Sequence, residues 1–222
     1  MIDTGTGQKT DRTEEYIRRL LAYQSMPTLL KAKPSVLVTA NKKLIGSRNR
    51  FFDFLGGCLR DFECSYLPLE ETWGRIYLLL YYEPLLRQSL GAGQPGANMR
   101  GEFLAACGYG ECRESAGEAL VRLRQLYRGY WENGAFPHEI GIFLGYPLAD
   151  VMGFIQNRGM NYLLCGMWKV YQREEIAAAA FRSYGRMKEQ AVGLLEAGSN
   201  LAGMSDTDYS EERAFLKKLL EY

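Results

Sequence analysis

Histidine is nearly absent from this chain: His138 stands alone among 222 residues. A site that draws several imidazoles from one chain is thereby excluded. The five cysteines (Cys58, Cys64, Cys107, Cys112 and Cys165) are odd in number, and no two show the two-residue gap of a zinc knuckle or thioredoxin-type pair. Four residues separate Cys107 from Cys112, a gap that zinc sites use, but a second ligand pair is missing. The cysteines therefore read as reduced, partly buried thiols, since free cysteine behaves as a small hydrophobe, and no metal site is expected. A positive surplus is lacking too. The formal net charge is +1, whereas a protein that grips phosphate backbones usually carries a basic stripe. Nucleic acid is not an expected partner, although a local patch is compatible with a neutral total. Apolar runs such as Ile76 to Tyr82 are far too short to cross a bilayer. The first residues, Asp3 to Lys9, are polar and unlike a signal peptide. A cytoplasmic protein without a membrane partner is the expectation.

The chain is long enough to bury a core without disulfides or metals. Residues 1–10 read as a flexible lead, 11–198 as a single α/β domain, and 199–222 as a linker with a terminal helix from Ser210 to Leu220. Asp11 with Glu14 resembles a capping box, and Pro27 ends the helix that follows. Val36 to Thr39 is a short strand candidate and Arg50 to Leu59 a helix. Ile76 to Tyr82, apolar or aromatic on both alternating faces, predicts a central strand. Gly91 to Gly96 is a loop, and Arg100 to Cys107 a second helix. Ser115 to Trp131 has one apolar helical face (Leu120, Leu123, Tyr127), as does Glu174 to about Ala197, which Gly198 stops. Between them Ile140 to Leu144 reads as strand, Pro147 to Asn157 as helix and Tyr162 to Tyr171 as strand. The whole predicts a small mixed sheet flanked by helices, with a strand–helix–strand unit at about 138–171.

Functional residue types concentrate in Phe136 to Tyr171. His138 has the only side chain whose ordinary pKa lies near neutrality. Beside Glu139 it fits an acid, a base or an axial haem ligand, or else a tether that fixes a turn through its ring nitrogens. Gly141 and Gly145 leave room for a flat ligand or, more commonly, for a packing helix. Gly145-Tyr146-Pro147 runs into a helix start that favours an anion. No Gly-x-Gly-x-x-Gly or Walker pattern accompanies it, and Asp150 in the first turn reads as a cap. Lys169, among apolar neighbours, fits a carboxylate or phosphate partner, or snorkels to solvent. Trp168 and Tyr146 can stack on a planar cofactor or fill the core. Topology decides which of these residues meet. Parallel strands put Gly145, Tyr146 and Tyr171 at the carboxyl end and His138 with Asn161 at the other. Antiparallel strands bring His138 toward Lys169 and Tyr171.

The run FPHEIGIFLGYPLADVMGFIQNRGMNYLLCGMWKVY, residues 136–171, resembles the family known as domain of unknown function 3793, found mainly in anaerobic Firmicutes. Met26-Pro27-Thr28-Leu29 with Lys33, and Arg75 to Leu90, are similar to further segments of that family. The resemblance spans about residues 13–200. The family pattern has cysteine where this chain has Ser25, which argues against a cysteine nucleophile paired with His138. The resemblance brings no activity. It implies at most a redox or iron-related setting, through gene neighbourhoods that hold flavodoxin and iron-uptake proteins.

Two functions are therefore expected. In one, the protein binds a small molecule or cofactor near 136–171, with flavin and haem as the cofactors to test. His138, Glu139 and Lys169 would then be the chemical residues, and Gly141, Gly145, Tyr146, Asn161, Trp168 and Tyr171 the contacts. In the other, it is a non-catalytic interaction module whose partner is a flavodoxin-like protein.

Overall fold

The aliphatic run from Arg75 to Tyr81 forms the middle strand of a three-stranded sheet in the computed structural model, which describes residues 12–91, 99–110 and 115–221. In chain order the helices are α1 (Arg12–Gln24), α2 (Met26–Leu29), α3 (Arg48–Arg60), α4 (Glu83–Ser89), α5 (Met99–Leu104), α6 (Ala116–Asn133), α7 (Ile140–Phe143), α8 (Leu148–Gln156), α9 (Glu174–Glu196) and α10 (Ser210–Lys217). The strands are β1 (Ser35–Asn41), β2 (Ser65–Glu71), β3 (Arg75–Tyr81), β4 (Leu164–Cys165) and β5 (Lys169–Val170). The main sheet runs in the order β1-β3-β2, and β4 and β5 pair as a separate small hairpin. The residues proposed as a flexible lead, together with Asp11 of the capping box and most of the Gly91–Gly96 loop, lie outside the described residues.

Strand β3 is apolar on both faces because the sheet separates two cores. Ile76, Leu78 and Leu80 turn to the side packed by α1, α3 and α9, with Ile17, Phe51, Leu55 and Met187. Leu79 turns to the other side, where it meets Leu123, Tyr127, Ile142 and Phe143. Period-two alternation places successive side chains on opposite faces, so a strand buried on both sides has no polar face. The segment beyond residue 198 joins the first core through Leu201, Met204, Tyr209, Leu216 and Leu219.

The α/β class holds, but the sheet is antiparallel throughout rather than mixed, and the strand–helix–strand unit is corrected. Ile140 to Leu144 is helical: the Leu144 amide donates to the Ile140 carbonyl at 2.9 Å. It ends in a Schellman arrangement, Gly145 N–H to Ile142 O at 3.0 Å and Tyr146 N–H to Gly141 O at 2.9 Å, with Gly145 at φ +74°. The Ser35 hydroxyl donates to the Phe143 carbonyl and the Ser89 hydroxyl to that of Ile142, so the last carbonyls keep partners in the core. A five-residue segment buried on every side carries no periodicity that separates helix from strand. Tyr162 to Tyr171 is likewise no single strand. It folds back on itself, with Cys165 opposite Lys169 and Leu164 opposite Val170.

Lys33 is only 3 % exposed. Its ammonium lies over the Tyr146 ring, 5.2 Å from the centroid. Burial, and secondly the charge of Lys188, lower its pKa to about 7. Above that value the unfolded chain binds the proton that the folded chain has released. Stability attributable to Lys33 therefore rises between pH of about 7 and about 10, by up to about 1.4 kcal/mol per pH unit. Urea unfolding across that range will show the rise in the native protein, and Lys33→Met will flatten it.

Candidate functional site

Helices α7 and α8, the β4–β5 hairpin and Leu37 of β1 enclose a cavity of about 370 Å³. Its inner wall is apolar: Leu37, Ile140, Leu144, Val151 and the Trp168 indole, all but Leu37 buried. Phe136 and Phe154 stand beside His138, whose ring centroid lies 5.4 Å from that of Phe136 and 5.1 Å from that of Phe154. His138 and Cys165 are exposed and Lys169 half-buried, so the polar groups sit at the mouth.

Asp150 builds this wall. It lies in the first turn of α8, 2 % exposed, and its carboxylate bonds groups outside its own helix. Its Oδ2 accepts from Trp168 Nε1 at 2.8 Å. Its Oδ1 accepts from the backbone amides of Tyr171 at 2.7 Å and Gln172 at 3.1 Å. Three donors from the hairpin thus converge on one buried carboxylate, the condition under which a buried charge is tolerated. The bond turns the Trp168 ring into the cavity wall. There it stacks on Tyr146, centroids 5.0 Å apart and planes at 27°, with Phe181 edge-on at 4.5 Å. The Tyr146 hydroxyl donates to the Met167 carbonyl at 3.2 Å. Burial raises its pKa to about 12, so the phenol stays neutral and serves as a donor.

Lys169 is held from below. Its ammonium donates to the Gly159 carbonyl at 2.6 Å and lies 4.9 Å from the Tyr162 ring centroid and 5.8 Å from that of Phe154. An ammonium has three donors, and one is committed here, which leaves capacity toward an anion at the cavity mouth.

Neither of the two strand pairings that the sequence allowed is formed, and α7, α8 and the β4–β5 hairpin decide which sequence-predicted residues meet. His138, Lys169, Gly141, Tyr146 and Trp168 line the one cavity. The other four do not. Glu139 turns away, 8 % exposed, and accepts from the Tyr109 hydroxyl at 3.2 Å. Burial raises its pKa, against the opposing pull of its hydrogen bonds and of His138 and Arg122. Gly145 abuts Pro34: an added Cβ would stand 2.5 Å from the proline ring. The Tyr171 ring covers Gly153 in the same way, at 2.5 Å. Asn161 is an exposed turn residue at φ +58°. Gly141, although on the cavity wall, has Val151 Cγ2 only 2.7 Å from where a Cβ would be.

Sequence reasoning read Asp150 as a cap and did not single out Phe136, Phe154 or Val151 as contacts. An acidic residue in a first helical turn, with a Trp in the segment that follows the helix, was the available signal for Asp150. Leu37 carried none, because only tertiary packing brings β1 there.

The model of the family described as Protein of unknown function (DUF3793) matches residues 21–204. The chain matches no curated protein and no solved structure.

Proposed function

The chain belongs to the DUF3793 family, and from its cavity we propose that it binds a small, flat, largely apolar organic molecule carrying one anionic group. The observation that carries this reading is the pairing of an aromatic-walled space of about 370 Å³ with the Lys169 ammonium at its mouth. Ligand sites are typically apolar clefts with a few convergent polar groups. The volume is near the lower end of their range, which suits one fused ring system such as the flavin isoalloxazine and is small for a tetrapyrrole. In this reading Trp168 and Phe154 face the ring, Lys169 takes the anion, and His138 supplies a second polar contact or a proton acceptor. A bound flavin would supply electron transfer and make the protein a redox accessory. His138 and Lys169 are then the groups able to hold a proton or negative charge beside it.

The test is titration of the protein, purified without added cofactor, with flavin mononucleotide, haem and simple aromatic carboxylates, followed by absorbance, fluorescence and thermal shift. Binding of a planar anion is expected, and Lys169→Met is expected to weaken it about 10- to 100-fold, the loss typical of a charge-assisted hydrogen bond. No response to any of these compounds would remove the reading.

A second reading, an interaction module, draws on one observation. Met152, Ile155, Met160, Tyr162 and Leu163, close together in the chain, are all exposed, with Tyr162 beside Lys169 of the cavity, and exposed apolar side chains in groups mark contact surfaces. A flavodoxin-like protein is the partner to test, by calorimetry with a purified flavodoxin. Heat that vanishes in Met160→Asp would favour this reading over small-molecule binding.

A further inference from the structure

The far end of the main sheet carries an unusual combination. Thr72 N–H donates to the Arg75 carbonyl at 2.9 Å and closes a four-residue turn between β2 and β3, and Trp73 at its tip is 100 % exposed. The next segment of backbone is the tight turn Lys42–Leu44, tied to the tip by Lys42 N–H to Gly74 O at 2.9 Å. Leu44 on that turn is half-exposed. A tryptophan with no protein surface against it leaves its whole apolar area in water, which costs free energy unless something covers it.

The charge around this tip has one sign in excess. Lys42, Lys43, Arg48 and Arg50 fall within nine residues, 42–50, that hold no carboxylate, and Arg75 adds a fifth cation. The nearby carboxylates are already engaged. Glu71 pairs with Lys42 at 3.2 Å and Arg48 at 2.7 Å, and Glu14 with Arg18 at 3.8 Å and Arg50 at 3.7 Å. Lys43 and Arg75 are exposed and form no ion pair among the described residues. The near-neutral total of the chain conceals this local excess.

We propose that this tip docks on an anionic lipid surface, with the Trp73 indole and the Leu44 side chain entering the interfacial layer and Lys42, Lys43 and Arg75 lying over the headgroups. Tryptophan favours the water–lipid boundary, where its apolar body and N–H are both accommodated. Basic residues beside it are drawn to anionic leaflets, and apolar insertion combined with charge is what holds a peripheral protein in place. The tip is a four-residue turn that presents a single fully exposed ring. A stable protein interface needs a broad, well-packed patch, and single-stranded nucleic acid needs a groove with successive stacking rings. Shape therefore favours the bilayer over both. No helix among the described residues is long and apolar enough to cross a membrane, so the contact is peripheral.

The experiment is co-sedimentation of the full chain with unilamellar vesicles of phosphatidylcholine alone and of phosphatidylcholine mixed with phosphatidylglycerol. Association with the mixed vesicles only, reversed by salt, is expected. Trp73→Ala will lower the partition coefficient about tenfold, a loss of about 1.4 kcal/mol, and Lys43→Glu with Arg75→Glu will abolish it. Because these side chains are exposed, circular dichroism of the variants should match the parent. Failure to bind the mixed vesicles, or binding that Trp73→Ala leaves unchanged, overturns the proposal. A single-stranded oligonucleotide bound through Trp73 in place of vesicles overturns it in favour of nucleic acid.

Discussion

Asp150→Ala will lower the unfolding free energy by about 3–5 kcal/mol, the range for removing one partner of a buried charged network. The loss comes from both sides of the contact. Trp168 Nε1 and the amides of Tyr171 and Gln172 all donate to this carboxylate. Without it, three donors at the root of the β4–β5 hairpin lose their acceptor, and each buried unsatisfied group costs about 1–3 kcal/mol. Water entering the space will recover part of that, which is why the expected total is less than the sum. Urea denaturation followed by circular dichroism measures the change. The same variant should release the Trp168 ring from its stack on Tyr146, visible as a red shift of the indole emission before unfolding. A stability loss below about 1 kcal/mol would mean that the carboxylate behaves like a surface group and does not organise the wall.

Gly145→Ala is the second large effect, expected to cost about 2–5 kcal/mol by the same measurement. Two independent terms add. The residue sits at φ +74°, where an L side chain costs about 1–2 kcal/mol. Its new methyl would also stand 2.5 Å from both Cδ and Cγ of Pro34. A proline ring cannot rotate away, so the α7–α8 corner must shift by overpacking, typically about 1–3 kcal/mol. That shift would move Tyr146, the next residue, and with it one wall of the cavity. The control is Gly185→Ala in the middle of α9, where nothing lies within 4 Å of an added Cβ and φ is ordinary. There the substitution should be neutral or slightly stabilising.

These two residues also show how far the sequence could be read. Both lie in the segment that its composition singled out, and both were legible as important residue types. Their roles were not legible, because each depends on a partner remote in sequence. Asp150 is defined by a hairpin some twenty residues downstream, and Gly145 by Pro34 more than a hundred residues upstream. Elements whose cause is local were readable: the α6 and α9 faces follow helical spacing, and β3 follows its two-sided apolar run. Two kinds of element were not. Ile140 to Leu144 is apolar on every side and so has no period. Strand β2 contains Pro68 and two glutamates, and it holds an edge position with a register shift between Pro68 and Glu70. Proline and a bulge are tolerated at an edge and obscure a strand signal. The cavity itself was not legible: the sequence left open parallel or antiparallel pairing of Ile140 to Leu144 with Tyr162 to Tyr171, and neither forms, because the first is helical and the second folds back as the β4–β5 hairpin.

Because α7, α8 and the β4–β5 hairpin line the same cavity, His138 and Lys169 share one mouth. Each flanks the Phe154 ring, so an anion held by Lys169 would lie within the neighbourhood of the imidazole. Cys165 shares the mouth, opposite Lys169 in the hairpin register. Ser25, in contrast, is buried with its hydroxyl unpartnered and does not line this cavity. Chemistry at the cavity would therefore not run through position 25.

Amide and indole chemical-shift mapping will show whether a planar anion occupies this cavity. The ¹⁵N-labelled protein is titrated with flavin mononucleotide and with an aromatic carboxylate. Saturable shifts are expected at Gly141, Gly166 and the Trp168 indole N–H, abolished in a Val151→Trp variant that fills the space. Shifts confined to Met160, Tyr162 and Leu163, or none at saturating ligand, would contradict that occupancy.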